Sequence, residues 1–253
     1  EMGGQLSDHG TIRSFQGAKC KGADGQSPVA GLRVHRGCLV AGQLTVGDEV
    51  VAAIDTARRQ AMARSHTATH MLHKSLQETL GAQATQAGSE NSENQLRFDF
   101  HHGKSLSDGE AEQIFDRIND QLRENLPVNT EIMSLEDAKK SGATALFGEK
   151  YGQEGRVVDI GNGWDRELCG GTHMPTTGYL GQVVLMSDSS LGSGLRRIEA
   201  IVADKAADFQ ATDHDLITQI AKIMGPQPEM ITARIDDAPP RLRHAQTQLH
   251  RLP

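Results

Sequence analysis

Two pairs of candidate metal ligands with the same spacing constrain how this chain can fold. The segment RSHTATHMLH contains His66 and His70, and the segment CGGTH, about a hundred residues further on, contains Cys169 and His173. Residues four apart lie on one face of a helix. Zinc prefers nitrogen and thiolate ligands in tetrahedral geometry. The sequence therefore predicts a fold that brings both pairs together around one Zn²⁺ ion.

Each pair also has an ordinary explanation. A lone pair of histidines on a helix, for example, usually lies on its solvated face. The occurrence of both pairs in one chain favours the joint site. Gly170 and Gly171 disfavour a helix between Cys169 and His173 and favour a turn. His73 continues the histidine stripe without a second partner, and we expect a satisfied histidine on the polar face. His101 and His102 are assigned to a loop, and the role of His9 stays open.

Composition allows one sizeable core or two modest ones, since 37% of the 253 residues are hydrophobic. No stretch approaches the roughly 20 apolar residues of a membrane helix, and the N-terminus has no secretory pattern. We therefore expect a soluble, cytoplasmic protein without a membrane partner. Three cysteines at irregular spacing argue against a disulfide framework.

The net charge of −7 argues against broad electrostatic capture of nucleic acid, so any RNA contact should be local. Arg196 and Arg197 follow Gly192 and Gly194, and a glycine-rich turn lets guanidinium groups approach a phosphate. They are the candidate RNA-binding residues. The alternative is that one arginine pairs with Glu199 and the other is solvated.

The hydrophobic pattern divides the chain into three parts and predicts an α+β fold. Residues 1–56 hold short apolar runs broken by glycines, which favours a small N-terminal β-barrel. Residues 57–203 mix strands and helices without regular alternation, which favours an α+β layered domain. Residues 204–253 are predicted to be helical. Both ends resemble the interior of a longer protein, and we expect an excised piece.

Local signals place the main elements of the middle part. Ser65 is predicted to cap a helix that Gly81 ends, and Ser107 with Glu110 forms a capping-box pattern before a second helix. The predicted strands are QLRFDF, VNTEIMSL, RVVDIG, GQVVLMS and LRRIEAIV. Two C-terminal helices are expected on either side of GPQP.

Seven sequence blocks carry a family resemblance. GGQLSDHG, RSHTATHMLH, QAGS, LRFDF, ALFGEKYG, ELCGGTH and GSGLRRIEA occur in this order. Together they resemble the editing region of alanyl-tRNA synthetases with the β-barrel segment before it. Threonyl-tRNA synthetases and free-standing deacylases would fit the two ligand pairs equally well, but the GGQ, LRFDF and RRIEA blocks favour the alanyl branch. The tail resembles the start of the C-terminal dimerisation region, and the aminoacylation domain is absent.

The resemblance implies hydrolysis of the ester that joins serine or glycine to tRNA(Ala), at the acceptor end. A pocket built for alanine cannot strongly reject a residue that only adds a hydroxyl or lacks a methyl, so a second, hydrolytic site is needed. The implied parent is an ATP-binding ligase of protein biosynthesis that dimerises through its C-terminal region.

The resemblance also assigns residues. It implies that His66, His70, Cys169 and His173 are the zinc ligands. Thr69 resembles the threonine that lines the amino-acid pocket and bonds the seryl hydroxyl, and Gln86 resembles a glutamine near the ester. Gly170 and Gly171 would line the substrate pocket. The ordinary alternatives are that Thr69 faces the core and that Gln86 caps a loop.

The chain departs from the family after QAGS, where the polar run ENSEN replaces an apolar residue and leaves the conformation of that predicted loop open. The role of zinc is open as well: it could activate water, polarise the ester carbonyl or only position the substrate. A non-catalytic, zinc-stabilised tRNA-binding module and a different acyl-ester hydrolase are the alternative functions. Motifs of serine hydrolases, phosphate loops and dinucleotide sites are absent from the sequence.

Overall fold

The computed structural model describes residues 3–26, 29, 32–145, 153–224 and 230–249. These residues form a mixed α+β structure, as predicted. The chain divides into two compact units, Glu1–Ala206 and Ala207–Pro253. The boundaries predicted near residues 56 and 203 stay predictions. Most of the ALFGEKYG block and the GPQP segment lie outside the described residues.

The first sheet is antiparallel and lies in the N-terminal part of the first unit. Its strands are β1 (Gly10–Ser14), β2 (Lys19–Gln26), β3 (Val34–Ala41) and β4 (Val50–Ile54), in the order β3-β2-β1-β4. Side chains of β3 and β4 are largely exposed. A pairing of β3 with β4, which would close the sheet, is not observed among the described residues, so the barrel remains a prediction.

Two further antiparallel sheets follow. In chain order their strands are β5 (Gln86–Ser92), β6 (Gln95–His101), β7 (Val128–Ser134), β8 (Glu154–Ile160), β9 (Asp165–Leu168), β10 (Val183–Gly192) and β11 (Leu195–Val202). The larger sheet has the order β10-β11-β6-β5 and the smaller one β7-β8-β9. All five strands predicted for the middle part are confirmed.

The described residues contain five α-helices and a short 3-10 helix at Thr177–Leu180. The α-helices are α1 (Thr56–Leu80), α2 (Asp108–Arg123), α3 (Leu135–Lys140), α4 (Ala203–Met224) and α5 (Ile231–Leu249). None is long and apolar enough to cross a membrane. The main core joins α1, α2 and β6, and its fully buried side chains include Met71, Leu72, Phe98, Phe100 and Ile114.

The helix ends follow local chemistry in most places. The capping box of Ser107 and Glu110 at α2 is confirmed, and Gly81 ends α1. The predicted cap at Ser65 is wrong, because the preceding residues already continue the helix and the Asp55 side chain accepts from Arg58 N. Ser65 is instead buried inside α1, where its hydroxyl donates to Ser92 O at 2.8 Å.

The polar run ENSEN is not a loop. Residues 90–92 belong to β5, where Asn91 pairs with Leu96 of β6, and only residues 93–94 form the turn. The ladder to β6 satisfies the backbone of the segment, and this hairpin pairing outweighs the low strand propensity of glutamate, asparagine and serine.

Candidate metal centre

The structure brings together the two pairs that the sequence singled out. His66 and His70 lie on α1, and Cys169 and His173 lie in the turn that follows β9. The potential ligand atoms of these four residues lie within 4.8 Å of one another. The Sγ atom of Cys169 is 3.3 Å from Nε2 of His66, and the rings of His66 and His173 are 4.5 Å apart between centroids.

The donor set fits a metal ion. Three imidazoles and one thiolate match zinc, whose tetrahedral shell spaces its ligand atoms by about 3.5 Å. His66 Nδ1 and His173 Nε2 are buried nitrogens without a hydrogen-bond partner among the described residues. Unsatisfied buried polar atoms are costly, and a bound ion is one way to satisfy such an atom.

Thr67 contacts one of the two ring nitrogens of His173. Its hydroxyl donates to Ala63 O at 3.0 Å and accepts from Met174 N at 3.1 Å. The same oxygen lies 3.2 Å from His173 Nδ1, and when the hydroxyl proton is directed to Ala63 O it accepts from a protonated Nδ1. In that arrangement Nε2 of His173 keeps its lone pair for a ligand. Sequence reasoning did not identify Thr67.

One buried carboxylate holds two histidines of α1. Glu167 of β9 places Oε2 2.6 Å from His70 Nδ1 and Oε1 2.5 Å from His73 Nδ1. The amide of Gln77 lies 3.0 Å from His73 Nε2 and donates to it. A carboxylate on one ring nitrogen orients a metal-binding histidine and leaves the other nitrogen for the metal.

His73 is therefore a satisfied histidine that is not among the clustered ligands, but it does not lie on a polar face, because it is only 2% exposed. His73 is buried because its ring contacts the buried carboxylate of Glu167. The sequence analysis also missed Glu167 and Asp165. Their alternation in DREL, directly before the CGGTH turn, was the available signal, since residues two apart in a strand share one face.

The pKa values of the candidate ligands Cys169 and His173 favour the protonation states that bind a cation. Burial raises the pKa of Cys169, but the neighbouring imidazoles of His173, His66 and His70 outweigh it and lower this pKa to about 2. Burial lowers the pKa of His173 to about 3. Burial also lowers the pKa of His70, but the charge of Glu167 prevails and raises it well above the usual value.

A second carboxyl shares this buried environment. Asp165 Oδ2 lies 3.7 Å from His70 Nδ1. Burial, followed by the charge of Glu167, raises the pKa of Asp165 to about 6. Burial also opposes the ionisation of Glu167, but the charge of His70 lowers its pKa. Glu167 is thus the more acidic of the two carboxyls, because two imidazoles contact it directly.

Two side chains outside the predicted site hold the CGGTH turn. Arg156 of β8 donates to the carbonyls of Cys169 at 3.1 Å and Gly171 at 2.6 Å. Gln5 donates to the Thr172 hydroxyl at 2.6 Å and accepts from Thr172 N at 2.9 Å. Arg156 and Gln5 thereby fix the turn from β8 and from the N-terminal segment.

The glycines around the site have different roles. A Cβ atom at Gly171 would collide with the His66 ring, and one at Gly3 would lie 2.7 Å from His66 Nε2. Glycine at these two positions therefore lets the backbone pack against the imidazole of His66. Gly170 is exposed and borders a cavity. The predicted pocket roles of Gly170 and Gly171 remain predictions.

Thr69 faces an asparagine that the sequence analysis did not name. Its hydroxyl is 2.6 Å from Asn91 Oδ1 and 3.0 Å from Ser65 O, and the residue is 4% exposed. The amide of Asn91 donates to Gly3 O at 3.1 Å. With its proton directed to one of these acceptors, the Thr69 oxygen keeps lone pairs that can accept another hydrogen bond.

Gln86 begins β5 and is half-buried. Its amide donates to the Ser89 hydroxyl at 3.1 Å, and Ser89 in turn lies 3.5 Å from Gly3 O. Gln86 is thus linked through Ser89 to the segment that covers His66. Its position near a substrate ester remains a prediction.

The two candidate RNA-binding arginines have carboxylate partners. Arg196 lies 2.6 Å from Asp188 and is 7% exposed. Arg197 makes two hydrogen bonds to Asp99, at 2.7 and 2.8 Å. The partners are Asp188 and Asp99 rather than the Glu199 suggested by the sequence. A phosphate contact by either arginine stays a prediction, and these ion pairs compete with it.

Comparison with known proteins reveals a shared domain and close relatives. Residues 156–199 match the family described as the threonyl and alanyl tRNA synthetase second additional domain. An alanine–tRNA ligase of Bifidobacterium longum is 48% identical over 250 residues, which cover 98% of this chain and 28% of the relative. One from a Nocardioides species is 45% identical over 252 residues, again 28% of its length. The chain thus spans about a quarter of these relatives.

The substitution Glu167→Gln should weaken zinc binding by about 10–100-fold, because an amide cannot accept from both histidines with two oxygens. The dissociation constant can be measured by competition with a chromophoric chelator. Glu154→Gln, at an exposed position of the same sheet, is the control. An unchanged affinity in a folded Glu167→Gln protein would contradict the orienting role.

Zinc affinity should fall as the pH decreases, because the metal must displace the proton of His70, whose pKa is raised. The thiol of Cys169, with its pKa near 2, should release no proton near neutral pH. We therefore expect about one proton released per zinc ion at pH 7. Calorimetry in buffers of different ionisation enthalpy measures this number, and a release of two protons would show that the thiol is protonated.

Proposed function

We infer the function from one premise: the chain belongs to the alanine–tRNA ligase family and contains the second additional domain that this family shares with threonyl tRNA synthetases. We propose that it is the editing deacylase of such a ligase. Its substrates are serine or glycine esters of tRNA(Ala), and its reaction is hydrolysis of the ester.

The observation that carries this proposal is the convergence of His66, His70, Cys169 and His173 from two distant segments. A zinc ion held by these residues would supply a fixed positive charge that polarises the ester or anchors the terminal adenosine or amino group. Glu167 and Thr67 hold the proton positions of two of the histidines. The turn held by Arg156 and Gln5 keeps the thiolate in place before substrate binds.

Thr69 is proposed to select the amino acid. Its oxygen can accept a hydrogen bond from the seryl hydroxyl, while Asn91 holds the threonine side chain from the other side. Alanine offers no hydroxyl, so it gains nothing from this contact. A site that rewards a substrate hydroxyl discriminates more strongly than one that relies on size. Gln86 is proposed to orient the ester toward the attacking water.

The partners and location follow from the same premise. The acceptor end of tRNA(Ala) is the proposed nucleic-acid partner, and the C-terminal residues are proposed to begin the dimerisation region of a full-length ligase. Aminoacylation with ATP would belong to the remainder of such a protein, and the cytoplasm is its proposed location. We retain residues 1–56, 57–203 and 204–253 as the proposed domains.

A second candidate is a zinc-stabilised module that binds tRNA without catalysis. Four protein ligands would close a tetrahedral shell, which is typical of structural zinc sites. Zinc removal separates the two functions, because a structural ion should unfold the domain when it is removed. Retained far-ultraviolet circular dichroism with lost activity would favour the catalytic function.

The substitution Cys169→Ala should reduce serine release from seryl-tRNA(Ala) at least about tenfold, because loss of one ligand weakens the metal centre. Radiolabelled serine is measured beside correctly alanylated tRNA, which should be spared. Cys38→Ala, at an exposed cysteine, is the control. A folded Cys169→Ala protein with full activity, or a wild-type chain without hydrolysis, would contradict the proposal.

The substitution Thr69→Val should reduce kcat/KM for seryl-tRNA by about 10–100-fold and affect glycyl-tRNA less, because glycine has no hydroxyl to bond. Thr79→Val, in the same helix, is the control. The ratio of the two rates is the informative quantity, because it is insensitive to a general loss of folded protein. An unchanged ratio would remove Thr69 from amino-acid selection.

A further inference from the structure

A cavity of about 770 Å³ lies next to the metal centre. It is lined by parts of β1, β2 and β4, by the segment before β1, by residues 33–35 and by Gly170. Its volume falls within the roughly 300–1,000 Å³ of small-ligand pockets. His9, one of its lining residues, is not among the clustered metal ligands.

The wall of the cavity contains many small residues. Gly10, Gly22, Gly25, Ala52 and Ala53 all contribute to the lining. Short side chains leave the backbone open to a flat ligand. Two imidazole rings, those of His9 and His35, also line the cavity, and both residues are exposed. A flat ring can stack on either of them.

Both carboxylates of the lining have partners within the protein. Asp8 forms an ion pair with Arg59, and Asp24 accepts from Ser7 at 2.8 Å and from Gln26 at 2.7 Å. Neither carboxylate is therefore an open cation site. The cationic side chain of Arg33 also contributes to the lining. This combination suits a ligand with both a base and a phosphate.

The cavity adjoins the turn that carries two of the candidate ligands. Gly170, which borders it, directly follows the candidate ligand Cys169. Arg59, the partner of Asp8, also reaches the Thr172 hydroxyl at 3.4 Å. An ester presented to the metal centre must place its nucleoside in a neighbouring space, and the cavity at Gly170 is such a space.

We propose that the 3′-terminal nucleotides of the aminoacylated RNA occupy this cavity, with the ribose toward Gly170 and a base stacked on His9 or His35. The unpaired end of an RNA has exposed base faces, and proteins bind such bases on aromatic rings. This assignment rests on the proposed function and adds the first sheet to the substrate site.

The test measures binding of a fluorescein-labelled tetranucleotide RNA that carries serine through a 3′ amide, which cannot be hydrolysed as an ester. Ala52→Trp fills the cavity and should weaken binding at least about tenfold. Val46→Trp, at a fully exposed position outside the lining, is the control and should bind like the wild type. The anisotropy titration gives each dissociation constant.

A second variant guards against a folding defect. His35→Ala removes one ring, and base stacking of about 1–3 kcal/mol predicts at least about fivefold weaker binding if the base rests on it. His9→Ala tests the other ring, and His101→Ala is the control at an exposed position in another sheet. Zinc content and hydrolysis of serine methyl ester should be unchanged in all variants.

The outcomes separate this inference from the proposed function. If the wild type binds the RNA but the cavity variants bind equally well, the cavity is not the nucleotide site. Absence of wild-type binding also overturns the inference. If the wild type binds the RNA, the cavity variants do not, and seryl-tRNA is still not hydrolysed, the nucleotide site stands and the proposed deacylase function fails.

Discussion

The carboxylate of Glu167, buried between His70 and His73, is the interaction on which the metal centre depends. It places one oxygen near each imidazole and thereby keeps an ionised group in the interior. Burial of a lone carboxylate would be prohibitive, but two nearby imidazoles compensate it. The same contacts join β9 to α1, so the electrostatics of the centre and the packing of the domain have one cause.

The centre is assembled from segments that are far apart in the chain. The shared domain match covers Cys169, His173 and the supporting Arg156, but α1 with His66 and His70 lies outside it. Segment 3–6 closes the centre from a third direction through hydrogen bonds to Thr172 and Asn91. A single motif therefore contains only half of the candidate ligands, and the candidate site combines α1, the turn after β9 and the N-terminal segment.

Substrate recognition in this protein should be local, since the net charge is −7 and the two candidate arginines already have carboxylate partners. The proposed contacts at Thr69 and in the cavity use hydrogen bonds and stacking. Long-range attraction of phosphates contributes little to either contact. Recognition through such local contacts is consistent with a segment that binds only the end of an RNA, while the rest of the RNA is bound by other parts of a longer protein.

The sequence by itself indicated the two candidate ligand pairs, the capping box at α2, five of the seven described strands of the middle part and the α+β class, because each follows from spacing or periodicity within a few residues. Only the tertiary structure decided the rest. It placed Asp55 rather than Ser65 at the start of α1 and paired the polar run after Gln86 with β6. It also brought Glu167, Thr67 and Gln5 to the centre. The contacts of Glu167, Thr67 and Gln5 join residues far apart in the chain, and no local pattern encodes which partner a buried polar side chain meets.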